Sequence, residues 1–395
     1  MTTAEWKTSA RLLAEENILK FWLERMTDQR NGGFYGRIDG SDRLYEKADK
    51  GAVLNARILW SFASAYRVLG KEAYKEAAVR AKDYFVSHFI DPVNGGVYWS
   101  VDYLGNPKET KKQTYAIGFA VYGMSELYRA TGDKEALEVA KRLFEDIEKH
   151  AFDEAHPGYI EAMTCDWMPV SDMRLSDKDE NAAKTMNTHL HVLEPYTNLF
   201  RVWKDERLEQ RLRMLIRIFT DRLLNKQTRH LDLFFTNDWK GRRNLESYGH
   251  DIEAAWLLTE ALEVLGDEQL SAETMPIVRQ IALASEEGLC PDGSMIHEMN
   301  VSTGETDMAR HWWVQCECVI GELNHYQHFG DEIARQRAVA CYRYILDRLV
   351  DSEHGEWHWS IMPDGTVNRE DDKAGPWKCP YHNTRMCLEI IERDF

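Results

Sequence analysis

The segment NGGFYGRID at 31–39 returns as NGGVYWSVD at 94–102, HPGYIEAMT at 156–164, RHLDLFFTND at 229–238, PDGSMIHEMN at 291–300 and HGEWHWSIM at 354–362. Such a period decides the architecture before any local feature does. Gly33 to Gly96 spans 63 residues, Gly96 to Gly158 spans 62, and Gly293 to Gly355 spans 62. After each turn the apolar residues alternate with period two, as a short strand or hairpin requires. Between successive turns lie two stretches of 3.6-residue periodicity, so each unit reads as a helix pair with a short β excursion.

One helix of each pair precedes its turn segment, at 3–27, 71–90, 133–150, 204–227, 268–287 and 331–350. The other follows it, at 51–69, 113–131, 186–203, 247–265, 309–329 and 377–393. Four of these second helices run into Gly70, Gly132, Gly266 or Gly330, the residue that takes a left-handed C-cap without steric cost. The second helices are the more apolar and are expected to form an inner ring. Six hairpins over 395 residues are too regular for separate domains and supply too few strands for a central sheet. The expectation is one all-α catalytic domain over residues 1–395, an (α/α)6 barrel with its β excursions at one end.

Composition narrows the partners. Hydrophobic residues at 44% and charged residues at 29% are those of a folded chain with a large core. Acidic residues outnumber basic ones by 66 to 49, a net charge of −17 without a basic tract, which argues against a nucleic-acid partner. No apolar run reaches the ~18 residues of a membrane span, and the amino-terminal segment has no secretory pattern. The seven cysteines are scattered without paired metal or disulfide spacing, so a cytoplasmic protein is expected, monomeric or weakly homo-oligomeric. Its 13 Trp, 17 Tyr and 14 Phe exceed what packing asks for, and sugars bind by stacking on such rings.

Polar residues recur at equivalent places near the starts of the inner helices. Arg57, Glu253 and Glu317 each stand thirteen residues before their glycine stop, and Tyr115, His250 and Trp313 sixteen or seventeen before theirs. Asn187 and His191 hold the matching offsets in the third inner helix, and Trp377, Tyr381 and His382 lie in or just before the opening turn of the sixth. Spacings of three or four put Asn187/His191, His250/Glu253 and Trp313/Glu317 each on one helical face. A single such residue is usually a hydrogen-bonded core group. Several at one mouth point to a site, because each costs desolvation that packing alone does not repay.

Other signals carry less. His189 and His191 are two apart on a helix and do not face one another, and neither Cys316 with Cys318 nor His358 completes a metal set, so no metal is expected. No glycine-rich phosphate loop is present, which leaves a nucleotide cofactor unsupported. The run DMRLSDKDEN at 172–181 reads as a solvated loop placed where it could act as a lid. His230, His297, His311 and the remaining histidines receive no role.

The segments KGAVLNARILWSFASAYR (50–67), MNTHLHVLEPYTNLFR (186–201), YGHDIEAAWLL (248–258), RHWWVQCE (310–317) and WKCPYHNTRMCLE (377–389) resemble, in order and spacing, those of the N-acylglucosamine 2-epimerase superfamily. The RILW and WKCPYHN stretches favour its bacterial cellobiose 2-epimerase branch. The resemblance implies an (α/α)6 barrel that needs no cofactor and inverts C2 of a disaccharide with a free reducing end, cellobiose first and mannobiose or lactose beside it. It implies His250 and His382 as the acid/base pair, His191 as a third active-site histidine and Arg57 on the substrate oxygens. Tyr115, Asn187 and Glu253 become polar contacts, Trp313 and Trp377 the aromatic walls, and Glu317 a further substrate contact.

The chemistry suits those residues. Inversion at C2 needs ring opening, removal of the C2 proton and its return to the other face, and imidazole exchanges protons near neutrality. Arg57 would meet the charge of the enediolate, Glu253 would orient His250, and His191 would assist ring opening or hold O1. The nearest alternative is a mannose isomerase or mannose 2-epimerase of the same superfamily. Further off are an (α/α)6 glycoside hydrolase using Glu253 and Glu317 as its carboxylate pair, and a sugar-binding protein without catalysis.

Overall fold

The inner helices begin where a strand of two or three residues is tied to the neighbouring unit, and this tie repeats around the molecule. A computed structural model describes residues 1–176, 179–242 and 245–395. In chain order the outer layer opens with α1 (Thr3–Leu12) and α2 (Leu19–Arg25), joined through a π-helical turn at Leu13–Ile18. Then come α3 (Ala52–Leu69), α4 (Glu72–His88), α5 (Thr114–Thr131), α6 (Lys134–His150), α7 (Met186–Val202) and α8 (Glu206–Ile218). The chain finishes with α9 (Tyr248–Leu265), α10 (Glu268–Ser285), α11 (Trp312–Phe329), α12 (Glu332–Tyr344) and α13 (Tyr381–Glu392). Each of α3, α5, α7, α9 and α11 packs on the next, and α13 packs on both α11 and α3, which closes the inner ring.

The helix ends follow from local chemistry. Gly70, Gly132, Gly266 and Gly330 cap α3, α5, α9 and α11 in the left-handed region, with φ between 67° and 77°. Outer helices start on aspartates: Asp133, Asp205, Asp267 and Asp331 each accept a backbone N–H of the first turn. The sixth inner helix starts later than periodicity alone suggests, because Pro380 occupies its N-cap. Trp377 consequently lies in the approaching loop.

The β excursions weld neighbouring units together. Lys50–Gly51 pairs with Ser100–Val101, Lys112–Gln113 with Ala162–Met163, Lys184–Thr185 with Phe234–Phe235, and Arg310–His311 with Ser360–Ile361, all antiparallel. Leu245–Ser247 pairs likewise with Glu298–Asn300, and a bridge between Ile38 and Ala374 joins the sixth unit to the first. The first N–H of an α-helix has no partner within the helix. Here Ala52, Thr114, Met186 and Trp312 each donate to a carbonyl of the next unit, Trp99, Glu161, Leu233 and Trp359.

A lysine in three of these strands, and one in the loop leading to α13, pins the turn of its own unit. Lys50 bonds Asp28 at 2.9 Å, Lys112 bonds Asp91 at 2.8 Å, Lys184 bonds Asp153 at 2.8 Å and Lys373 bonds Asp351 at 2.5 Å. In the fifth unit Arg310 reaches Cys290 instead, and in the fourth Glu246 faces His230. Among the described residues no helix is long and apolar enough to cross a membrane.

Breaking one pin tests this account. Both side chains of the Lys50–Asp28 pair are fully buried, so Lys50→Met strands a carboxylate in the core and should cost about 3–5 kcal/mol in denaturant unfolding. Lys108→Met, which removes the exposed Lys108–Asp49 pair, should leave the unfolding midpoint unchanged.

Candidate active site

The amino-terminal ends of the inner helices converge on a cavity of about 570 Å³. Its wall includes Arg57, Tyr115, Asn187, His191, His250, Glu253, Trp313, Trp377 and His382. Glu317 is fully buried and lies beneath this wall rather than in it. Leu175, Ser176 and Asp179 of the 172–181 loop also border the cavity, whereas Asp177 and Lys178 of that loop lie outside the described residues.

One bend in the inner ring places His191. Pro195 lies four residues on and has no N–H to offer the His191 carbonyl, and His191 leaves helical geometry with φ −88° and ψ 15°. The freed carbonyl presses on α5 at Gly118, where a Cβ would come within 2.5 Å of it. Glycine is required there by this close approach. His189, in contrast, is structural: its Nδ1 bonds the Thr185 carbonyl at 2.6 Å and its Nε2 accepts the Tyr159 N–H at 2.9 Å.

Below the cavity floor lies a buried guanidinium shared by three carboxylates. Arg385 Nη2 donates to Glu253 Oε1 at 2.6 Å and to Glu317 Oε1 at 2.7 Å, and Nη1 donates to Glu194, which also accepts from Tyr381. Two of those carboxylates carry histidines: His382 Nδ1 lies 2.7 Å from Glu317 Oε1, and His191 Nδ1 lies 3.0 Å from Glu194 Oε2. Trp256 completes the Glu317 shell, its indole N–H donating to Oε2 at 2.9 Å. A carboxylate only accepts, so the proton of each imidazole sits on Nδ1 and the Nε2 lone pair is left free.

His250 is held differently. Its Nδ1 is 2.8 Å from the Ser247 hydroxyl, a group that can donate or accept and therefore leaves either tautomer open. Glu253 does not orient His250, contrary to the expectation from their three-residue spacing. It turns toward the permanent charge of Arg385 and lies 3.9 Å from His382 Nδ1. The rings of His250 and His382 both pack on Trp313, at 4.8 and 5.8 Å between centroids. On the far side Trp377 meets Trp99 at 5.9 Å and Tyr115 at 6.1 Å.

The electrostatics separate these groups. Burial pushes the His250 and His382 imidazoles down to about 3, and for His382 the bond to Glu317 recovers only part of that loss. Burial raises the Glu317 acid, but the Arg385 charge and the His382 bond outweigh it and hold it at about 2. Burial, and next the Glu317 charge, push Glu253 well above the usual carboxylate range. Glu253 Oε2 is buried and makes no hydrogen bond among the described residues. Arg57 has no ion-pair partner among the described residues; it donates to the Tyr115 hydroxyl at 2.7 Å and lies over the Phe119 ring at 4.2 Å.

These facts remove one alternative and limit another. A hydrolase pair must face each other across a scissile bond, whereas Glu253 and Glu317 share one guanidinium nitrogen. Donor atoms of Glu253, Glu317 and His382 lie within 4.8 Å of one another, as a metal site would need, but Arg385 already supplies the cation between the two carboxylates. The residues that sequence reasoning missed are Arg385, Glu194 and Ser247. Each stands three residues from a predicted histidine, His382, His191 and His250, so helical spacing was the available signal.

The pH dependence of stability follows from the two depressed imidazoles. An unfolded histidine titrates near ~6.5, so between that value and about 3 the unfolded chain binds more protons than the folded one. Their contribution is intact above pH ~6.5 and is lost as pH falls toward the folded values. The thermal midpoint should drop between pH 7.5 and 5, and His382→Asn should make that drop shallower.

Comparison with known proteins adds independent findings. Residues 33–385 match the family model described as N-acylglucosamine 2-epimerase (GlcNAc 2-epimerase). The chain is 59% identical over 374 residues to a cellobiose 2-epimerase of Bacteroides fragilis, covering 95% of each chain. Its structure is similar to that of a cellobiose 2-epimerase from Bacillus thermoamylovorans, with a TM-score of 0.94, 42% identity and coverage of 99% of this chain and 100% of that one. A D-mannose isomerase structure matches with a TM-score of 0.86 at 19% identity over 98% of both chains, a likeness of fold alone.

Proposed function

The chain belongs to the N-acylglucosamine 2-epimerase family, and from that membership and the chemistry of its cavity we propose how its residues invert a sugar carbon. The reaction is epimerisation at C2 of the reducing-end sugar of cellobiose. One observation carries the assignment of residues. Two neutral imidazoles pack on one tryptophan, beside a guanidinium that has no carboxylate partner among the described residues.

Ring opening leaves an aldehyde whose C2 proton is acidified by the adjacent carbonyl. Removing that proton builds negative charge on O1 as a cis-enediolate forms. Arg57 is assigned to that oxygen, because its charge is not spent on a neighbour and its fork of N–H groups is fixed by the surrounding rings. His382 rests with Nδ1–H on Glu317 and Nε2 free, the form of a base. The Glu317 charge then stabilises the imidazolium that proton removal creates, so Glu317 is a positioning residue rather than a substrate contact.

His250 is assigned to the opposite face of C2, where it returns a proton, and the two histidines exchange roles in the reverse direction. His191, standing on Glu194 with Nε2 free, is assigned to ring opening or to O1. Asn187, Tyr115 and Glu253 supply hydrogen bonds to hydroxyls. Trp313 and Trp377 stack on the apolar faces of the two sugar rings.

Two experiments test the reading. In heavy water the protein should place one deuteron at C2 of cellobiose, and His250→Asn or His382→Asn should lower that exchange by about 10²–10⁴-fold. Retained exchange in both variants rejects the pair. Glu317→Gln should lower kcat by about 10²–10⁴-fold with KM little changed, because His382 loses its fixed tautomer. The ¹⁵N shifts of His382 should report the redistributed proton, which a merely structural role for Glu317 would not produce.

A further inference from the structure

Two histidines of the cavity wall that the epimerisation does not use, His297 and His311, share a carboxylate behind it, Asp307. His297, Asp307 and His311 come from the hairpin and strand that lead into α11. The backbone fixes their spacing: Glu298 pairs opposite Asp307, and the His297 N–H donates to the Asp307 carbonyl at 3.2 Å. Asp307 Oδ1 accepts the Ala309 N–H at 2.9 Å. That leaves Oδ2 facing His297 Nδ1 at 3.0 Å and His311 Nε2 at 3.4 Å.

The two imidazoles stack at 4.1 Å with their planes 18° apart, both presenting a nitrogen to the same oxygen. One donor atom from each residue lies within 4.8 Å of the other two. Glu298 adds a carboxylate oxygen 4.0 Å from His297 Nδ1, and among the described residues no lysine or arginine pairs with Asp307. The side chains are 19%, 42% and 16% exposed for His297, Asp307 and His311, so an ion has a path in from solvent.

Two imidazoles and one carboxylate on a rigid frame form the donor set of a borderline-soft divalent ion, whereas calcium or magnesium would call for oxygen donors throughout. We propose that His297, Asp307 and His311 form a binding site for a divalent transition-metal ion such as Zn²⁺, and that an ion held there closes the outer part of the cavity to a disaccharide. Coordination shifts the proton of each neutral imidazole to its outer nitrogen and replaces the two hydrogen bonds to Asp307 by bonds to the ion. Three protein donors leave a coordination position open toward the cavity that His297 and His311 line. The His297 ring meets Trp313 edge-on at 5.8 Å, so the ion sits one ring away from His250 and His382.

The closure rests on the epimerase reading above, while the binding does not. Full-length protein freed of metal by a chelator and titrated with zinc chloride in a calorimeter should take up one ion per chain at this site. Asp307→Asn and His311→Gln should each weaken that uptake by about tenfold or more, and cobalt(II) chloride should give visible absorption bands that both variants lose. With cellobiose as substrate, zinc should raise KM at constant kcat, and the chelator should reverse the effect. No uptake overturns the proposal, and uptake undiminished in both variants overturns it equally by assigning the ion to other donors. Uptake lost in the variants without a rise in KM overturns the closure. A protein inactive on cellobiose fails the epimerase reading alone, since calorimetry and absorption report the site without turnover.

Discussion

A single buried guanidinium makes the catalytic floor possible. Three glutamates from three inner helices converge under the cavity, and burying them without a cation would leave them protonated or force the helices apart. Arg385 donates to all three. Its charge draws both Glu317 and Glu253 down, yet they end apart: with the His382 bond it holds Glu317 at about 2, while burial and the Glu317 charge push Glu253 well above the usual carboxylate range. Glu317 fixes the tautomer of His382, and Glu253 keeps one oxygen unbonded at the cavity wall. Carboxyl groups that share one cation thus stand in different surroundings.

The frame that brings these helices together is held by pairing between units rather than by the inner helices alone. Each strand before an inner helix joins the hairpin of the next unit, and Ile38 with Ala374 closes the circle. The lysine pins repeat in four units and are replaced in the fourth and fifth, where Glu246 with His230 and Arg310 with Cys290 occupy the same place. The histidines of the cavity come from helices after units with different pins, so the pin is a means of holding a turn.

The fold was legible because its signals are local and repeat. Turn segments such as NGGFYGRID and NGGVYWSVD show their period without any knowledge of contacts, and the glycine stops mark the helix ends. His250 could be placed near one mouth by counting from its stop, and Asn187 and His191 by the matching offsets in the third inner helix. The partners of those residues could not. Spacing puts Glu253 on the face of His250, but whether its carboxylate turns to His250 or to Arg385 depends on a helix 132 residues away. The lysine pins were hidden for the same reason, since Lys50 and Asp28 are separated by a turn whose closure brings them together.

Arg57 shows what an unbalanced charge can select for. In the proposed reaction, a cation among aromatic rings with no anion beside it among the described residues gains little from a neutral sugar and most from the instant when that sugar turns anionic. The resting protein therefore carries an electrostatic debt that only the fleeting species settles, and affinity is withheld from reactant and product alike. A cavity arranged this way releases both epimers with similar ease, which is what an enzyme working near the balance point of a reversible reaction requires.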